Sequence, residues 1–267
     1  MDLSSAELGR YQADGFLGPF PLLTTHEIQV VIREYADTWR RLPWYKGLHV
    51  WDTACLQAIL RPEVIGRVTS ILGENVLLWS ETLMVKRGGE PHRWHSDVET
   101  QEFQSVNVWA GLQNVGAASP MMVIPGSHRY GTAPQDLDID PFSADSVRSA
   151  ARSFNSAAEI QELFVEPGEF VMFEGSIWHG TQNRGSRTRR ALLAQYCQPE
   201  ATVRIPKSYS SPVQWSDQVP PCILVSGNAP DTANLLTEPK PLARKFSRRL
   251  AYSLHEAGAS MRTRLGS

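Results

Sequence analysis

The chain has 267 residues, 42% of them hydrophobic and 20% charged, with a formal net charge of −2. This is the make-up of a globular protein with material for a substantial core, and so even a charge balance gives no case for nucleic-acid binding. The three cysteines, Cys55, Cys197 and Cys222, are far apart, odd in number and in no CxxC pair, which fits a reducing compartment better than a disulfide framework. No apolar run approaches the roughly 20 residues of a membrane helix. Met1-Asp2-Leu3-Ser4-Ser5 opens no signal-peptide pattern, so a cytoplasmic protein is expected.

Ser4-Ser5-Ala6-Glu7 forms a capping box, a hydroxyl at the N-cap with Glu three positions on. It predicts a short helix ending near Asp14-Gly15, followed by an extended segment over Phe16–Phe20. Thr24-Thr25-His26-Glu27 repeats the signature, and Ile28, Val31, Ile32 and Tyr35 recur at helical spacing through about Arg41. Two shorter helical patterns cover Thr53–Leu60 and Pro62–Leu72, the second closed by Gly73.

From Asn75 the texture changes. Asn75–Trp79, Thr82–Lys86, Ser105–Val115, Met121–Ile124, Leu163–Val165, Phe170–Phe173 and Arg189–Cys197 are β-rich runs separated by Gly, Pro, Asn and Ser. Such a series predicts an antiparallel sandwich or barrel with the earlier helices on its outside. With no internal repeat or low-complexity linker, the chain reads as one domain. Its parts are a helical region over 1–74, a β core over about 75–200, an insertion over 131–161 and an extension over 201–267.

The insertion shows no strand pattern. Asp136, Asp138, Asp140 and Asp145 make its first half acidic, and Ser143–Ile160 is expected to be helical. An excursion of this length is expected to cover the site like a lid, a solvated surface insertion being the competing account. The tail Lys240–Arg264 is basic, with Leu242, Phe246, Leu250, Tyr252 and Leu254 interleaved. Peripheral contact with an anionic membrane surface is one reading of it; a packed C-terminal helix with a charged outer face is the simpler one.

His95 and Asp97 are two residues apart, so on a strand both side chains leave the same face. Two imidazoles and one carboxylate on one side of an ion form the facial triad of non-haem Fe(II) oxygenases, and His179 is the candidate third ligand. His92, three residues before His95, is expected on the opposite face. His128 follows the turn Pro125-Gly126-Ser127, which it is expected to hydrogen-bond.

Trp94-His95-Ser96-Asp97, Met122-Val123-Ile124-Pro125-Gly126-Ser127-His128-Arg129, Trp178-His179-Gly180-Thr181 and Arg189-Arg190-Ala191-Leu192 follow one another in that order. Together they resemble the successive signatures of the phytanoyl-CoA dioxygenase family, and Asp14-Gly15-Phe16 resembles its N-terminal entry. The resemblance implies a double-stranded β-helix (jelly-roll, cupin-like) core with helices packed outside. It also implies an Fe(II)- and 2-oxoglutarate-dependent dioxygenase that uses O2. It puts iron on His95, Asp97 and His179, and the distal carboxylate of 2-oxoglutarate on Arg190, assisted by Thr181. Arg184, Arg187 and Arg189 are the alternatives. Trp109 is placed beside the co-substrate, a position that ordinary core packing explains equally well. Thr82 is expected to line the same cavity, and Met84, Asn107 and Tyr196 (or Gln195, depending on register) to face the substrate. Ala118-Ser119-Pro120 departs from the Asn-Gly that the family commonly has before this Pro. An aspartate at position 97, where related halogenases have a small residue, favours hydroxylation over halogenation. The activity implied is hydroxylation of a small molecule. A metal-binding jelly roll without oxygenase activity, or a binding protein that has lost its chemistry, would have no use for Arg190.

Overall fold

The computed structural model describes residues 2–39, 46–97, 103–203 and 219–241. The basic tail, apart from Lys240 and Pro241, lies outside the described residues, and with it the expectation of a membrane-facing helix. Both predicted capping boxes are present. Ser4 accepts from the Glu7 amide while Glu7 accepts from the Ser4 amide, opening α1 (Ser5–Asp14). Thr24 and Glu27 do the same for α2 (Thr25–Thr38). Gly15 ends α1 with φ at 83°, a left-handed conformation that costs glycine least. The chain then runs through β1 (Phe16–Pro21), β2 (Trp51–Asp52), α3 (Ala54–Ile59) and α4 (Pro62–Leu72).

The two runs expected over Asn75–Trp79 and Thr82–Lys86 are one strand, β3 (Val76–Lys86). The polar pair Ser80-Glu81 that seemed to separate them is paired in the ladder opposite Gln195 and Ala194, and the register irregularity falls at Trp79, between Gln195 and Tyr196. Next come β4 (His92–His95), β5 (Ser105–Gln113), β6 (Met121–Val123), α5 (Ala144–Phe154), β7 (Gln161–Leu163), β8 (Glu169–Glu174), β9 (His179–Thr181) and β10 (Arg189–Cys197). After these are β11 (Pro221–Ser226), β12 (Leu235–Leu236) and β13 (Lys240–Pro241), the last paired with β2. Strands β4, β9, β11, β12 and β13, and the two-residue β2, have no counterpart among the predicted runs; most are too short to show a period.

The strands form a seven-stranded sheet, β1-β8-β5-β10-β3-β11-β12, and a four-stranded sheet, β4-β9-β6-β7. This is the expected mainly β, double-stranded β-helix core with helices on its outside. Alternation along the large sheet assigns its two faces. Val106, Val108, Leu192, Ala194 and Tyr196 pack outward against Val31, Leu56, Ile59, Val64 and Val68 of the helices. Trp109, Phe173, Ala191 and Leu193 face inward toward Met121, Val123 and Leu163. Each such side chain stabilises the fold by about 1.5–3 kcal/mol on leaving water, so the helices are held to the outer face and the space between the sheets is left for the site.

The helix of the insertion does not line that space. Val147 and Ala151 of α5 pack with Trp94, Met122, Ile124 and Trp178 on the outer side of the small sheet. Four buried apolar side chains there give the amphipathic helix a place to dock that a solvent-facing lid would lack. Among the described residues, no helix is long and apolar enough to cross a membrane.

Candidate metal centre

Strands β4 and β9 run antiparallel with His95 directly opposite His179, so two residues distant in sequence share one rung. β4 ends at His95, and Asp97 lies just past it, where its amide donates to the Gly175 carbonyl at 2.9 Å. The two-residue step therefore places both side chains together although Asp97 is not itself in a strand. His95, Asp97 and His179 are all buried, and one ligand atom from each lies within 4.8 Å of the others.

Hydrogen bonds leave the correct atoms facing inward. His95 Nδ1 is 2.8 Å from the Arg93 carbonyl and His179 Nδ1 is 3.0 Å from that of Ile177. A carbonyl only accepts, so each Nδ1 carries the proton and each Nε2 keeps its lone pair for a metal. Burial, with His179 beside it, holds His95 well below the ordinary imidazole range, so it is neutral, as a ligand must be. Asp97 Oδ2 accepts from Asn107 Nδ2 and, at 3.2 Å, from Gln195 Nε2. Asp97 Oδ1 lies 3.9 Å from His95 Nε2. Two imidazole nitrogens and a carboxylate oxygen are the donor set of a 2-His-1-carboxylate iron site.

The cavity at this centre has a volume of about 570 Å3, and its walls include Tyr35, Lys46, Met84, Trp109, Thr181 and Leu193. Thr82 also lines it, so Trp109, Thr181, Thr82 and Met84 all reach this one cavity. Asn107 faces the same way, and its side-chain amide donates to Asp97 Oδ2.

Two expected site residues face away. On β10, Arg189, Ala191, Leu193 and Gln195 point between the sheets, and Leu192, Ala194 and Tyr196 toward the helices. Tyr196 accordingly donates its hydroxyl to the Ile59 carbonyl at 2.9 Å, buried behind the sheet. Arg190 bonds the Gln113 side chain near the surface. The guanidinium inside is that of Arg189, which is 0% exposed and 5.8 Å from the Trp109 ring centroid. Its Nη1 is 3.4 Å from Ser119 Oγ, while Nε and Nη2 are buried with no hydrogen-bond partner. Burial pushes its pKa down to about 10. Ser119, part of the departure from the family pattern, also donates to the Gln182 carbonyl at 2.8 Å, tying the guanidinium to the residue after Thr181. Thr181 Oγ1 is likewise buried and unpartnered.

His92 is not on the opposite face. The register irregularity between His92 and His95 turns its ring to 4.5 Å from that of His95, at the cavity wall. His128 does not bond the turn it follows, as was expected of it; its Nε2 lies 3.3 Å from the Gln12 carbonyl in α1. Lys46, whose Nζ donates to Gln195 at 3.2 Å, and Tyr35 reach the cavity from the helical region. Nothing in the sequence marked them, because their place depends on how α2 and the segment after it dock.

A family model described as phytanoyl-CoA dioxygenase (PhyH) matches residues 11–191. Among solved structures, the non-heme monooxygenase ThoJ in its apo form has 21% identity and a TM-score of 0.62, covering 96% of each chain. CytC3 with Fe(II) and alpha-ketoglutarate has 19% identity and a TM-score of 0.60, covering 88% of this chain and 94% of its own. The non-heme alpha ketoglutarate dependent carbocyclase SnoK from nogalamycin biosynthesis has 18% identity and a TM-score of 0.57, covering 78% and 90%. At these identities the likeness is one of fold. No curated protein sequence matches the chain significantly.

Proposed function

Because this chain belongs to the phytanoyl-CoA dioxygenase family, we propose that it is a non-haem Fe(II)- and 2-oxoglutarate-dependent dioxygenase. Its reaction would hydroxylate an unactivated C–H bond of a small-molecule substrate, with release of succinate and CO2. His95, Asp97 and His179 would hold the iron. Arg189, with Thr181, would hold the distal carboxylate of 2-oxoglutarate; Arg190, which the family spacing suggested, bonds the Gln113 side chain near the surface instead.

The observation that carries the reading is the Arg189 guanidinium. A buried cation with unpartnered N–H groups is costly, and a dicarboxylate arriving beside it would supply the missing charge through two parallel hydrogen bonds. A metal-binding jelly roll with no such co-substrate has no use for it. When bound, iron and 2-oxoglutarate supply the oxidising power, one oxygen atom of O2 going to succinate and the other to the substrate. The chain's own contribution is placement. Asn107 and Gln195 both donate to Asp97 Oδ2, which would fix the orientation of the carboxylate that holds the iron. Met84, Phe173 and Leu193 give the cavity apolar walls that exclude water.

The test is O2-dependent succinate formation by the purified protein with Fe(II) and 2-oxoglutarate. Succinate should form above a metal-free control and be lost in Asp97→Ala. No succinate under these conditions, or full turnover in Asp97→Ala, would return the protein to the non-oxygenase jelly rolls.

A further inference from the structure

We propose that Glu174 is a positioning residue for the metal centre, acting through the short turn from Glu174 to Trp178 that fixes two of the three ligands at once. The inference rests on the metal site of the proposed function. Asp97 and His179 come from separate parts of the chain, yet both are anchored on this turn. The Gly175 carbonyl accepts the Asp97 amide at 2.9 Å, and the Ile177 carbonyl accepts His179 Nδ1–H at 3.0 Å. A change in the turn's shape therefore moves one ligand's backbone and rotates the other's ring.

What holds that shape is the Glu174 carboxylate, 8% exposed at the end of β8. Its Oε2 accepts from the Ser176 amide at 2.8 Å and from the Ser176 hydroxyl, while its own carbonyl accepts the Ile177 amide at 3.1 Å. From outside, Ser127 Oγ accepts the Trp178 amide at 2.8 Å. A neutral Asn or Ser closes an ordinary turn, and burying a carboxylate for that purpose costs free energy. What the carboxylate adds is stiffness, since its one oxygen Oε2 takes both the amide and the hydroxyl of Ser176 and so ties the turn twice. Here that stiffness falls on the two carbonyls that aim the ligands. Glu174 lies with Tyr11, Gln104 and His128 at a separate small cavity and is not among the residues lining the cavity at the metal centre.

Co(II) titration of the full chain, followed through its ligand-field absorption, tests this without turnover. Glu174→Ala should weaken Co(II) binding about 10- to 100-fold, the usual effect of losing a ligand's supporting partner, and change the band shape. Glu174→Gln, which keeps an oxygen for the Ser176 amide, should recover most of the affinity. A lower melting temperature of the metal-free protein with unchanged Co(II) affinity and spectrum would show a merely structural role and overturn the proposal. If Glu174→Ala does not fold, Ser176→Ala serves instead, removing one donor to the carboxylate. It should weaken Co(II) several-fold in the same direction, and wild-type affinity there would also overturn the proposal. Failure of the wild-type protein to bind Co(II) at all would overturn the metal site itself; normal wild-type binding with an unaffected Glu174→Ala removes only the role of Glu174.

Discussion

Replacing Arg189 by Met, beside the same change at Arg190, separates two adjacent arginines that the sequence cannot distinguish. Two charge-assisted hydrogen bonds to a carboxylate are worth about 1.5–3 kcal/mol each, so their loss removes about 3–6 kcal/mol of binding. That corresponds to an affinity for 2-oxoglutarate lower by about 10² to 10⁴-fold. The metal-free, co-substrate-free protein should respond in the opposite sense. Its Arg189 is a buried charge with Nε and Nη2 unpartnered, and an apolar side chain of similar volume in its place is neutral or stabilising. Arg190→Met loses one surface hydrogen bond to Gln113 and should shift stability by about 0.5 kcal/mol or less, with co-substrate affinity unchanged. The assay is calorimetric titration of 2-oxoglutarate into protein loaded with a redox-inert divalent metal, with thermal unfolding of each unloaded variant. A collapse of affinity in Arg190→Met with normal binding in Arg189→Met would refute the assignment, and with it the orientation of β10.

Two further outcomes follow from the same geometry. Tyr196→Phe removes the buried hydrogen bond to the Ile59 carbonyl and should cost about 1–3 kcal/mol in chemical denaturation, leaving 2-oxoglutarate affinity untouched; a change in that affinity would put Tyr196 back in the cavity. His49 is fully buried, 2.8 Å from the Pro221 carbonyl, and burial lowers its pKa from 6.5 to about 4. The folded form thus binds fewer protons than the unfolded one below pH 6.5, so stability is retained above that value and lost as pH falls toward 4. At pH 5 the loss from this residue is about 2 kcal/mol. Urea unfolding at pH 7.5 and pH 5 should show a smaller drop for His49→Gln than for wild type, and equal drops would contradict the reasoning.

The chain by itself determined whatever is settled within a turn or two of backbone. Ser4-Glu7 and Thr24-Glu27 start helices because cap and amide are three residues apart. Pro62 and Gly73 bracket α4 for equally local reasons. His95-x-Asp97 brings two ligands together through a single two-residue step, and the motif order around His179 supplied the third. Tertiary structure decided what depends on pairing across strands. β10 is almost wholly buried on both faces, so its hydrophobic pattern carries no inside and outside, and Arg189 and Arg190 look alike until β3 and β5 set the register. The irregularity that turns His92 toward His95 exists only between β4 and β9. The insertion helix likewise found its place from the apolar outer face of the small sheet, a surface that forms only once the strands have come together.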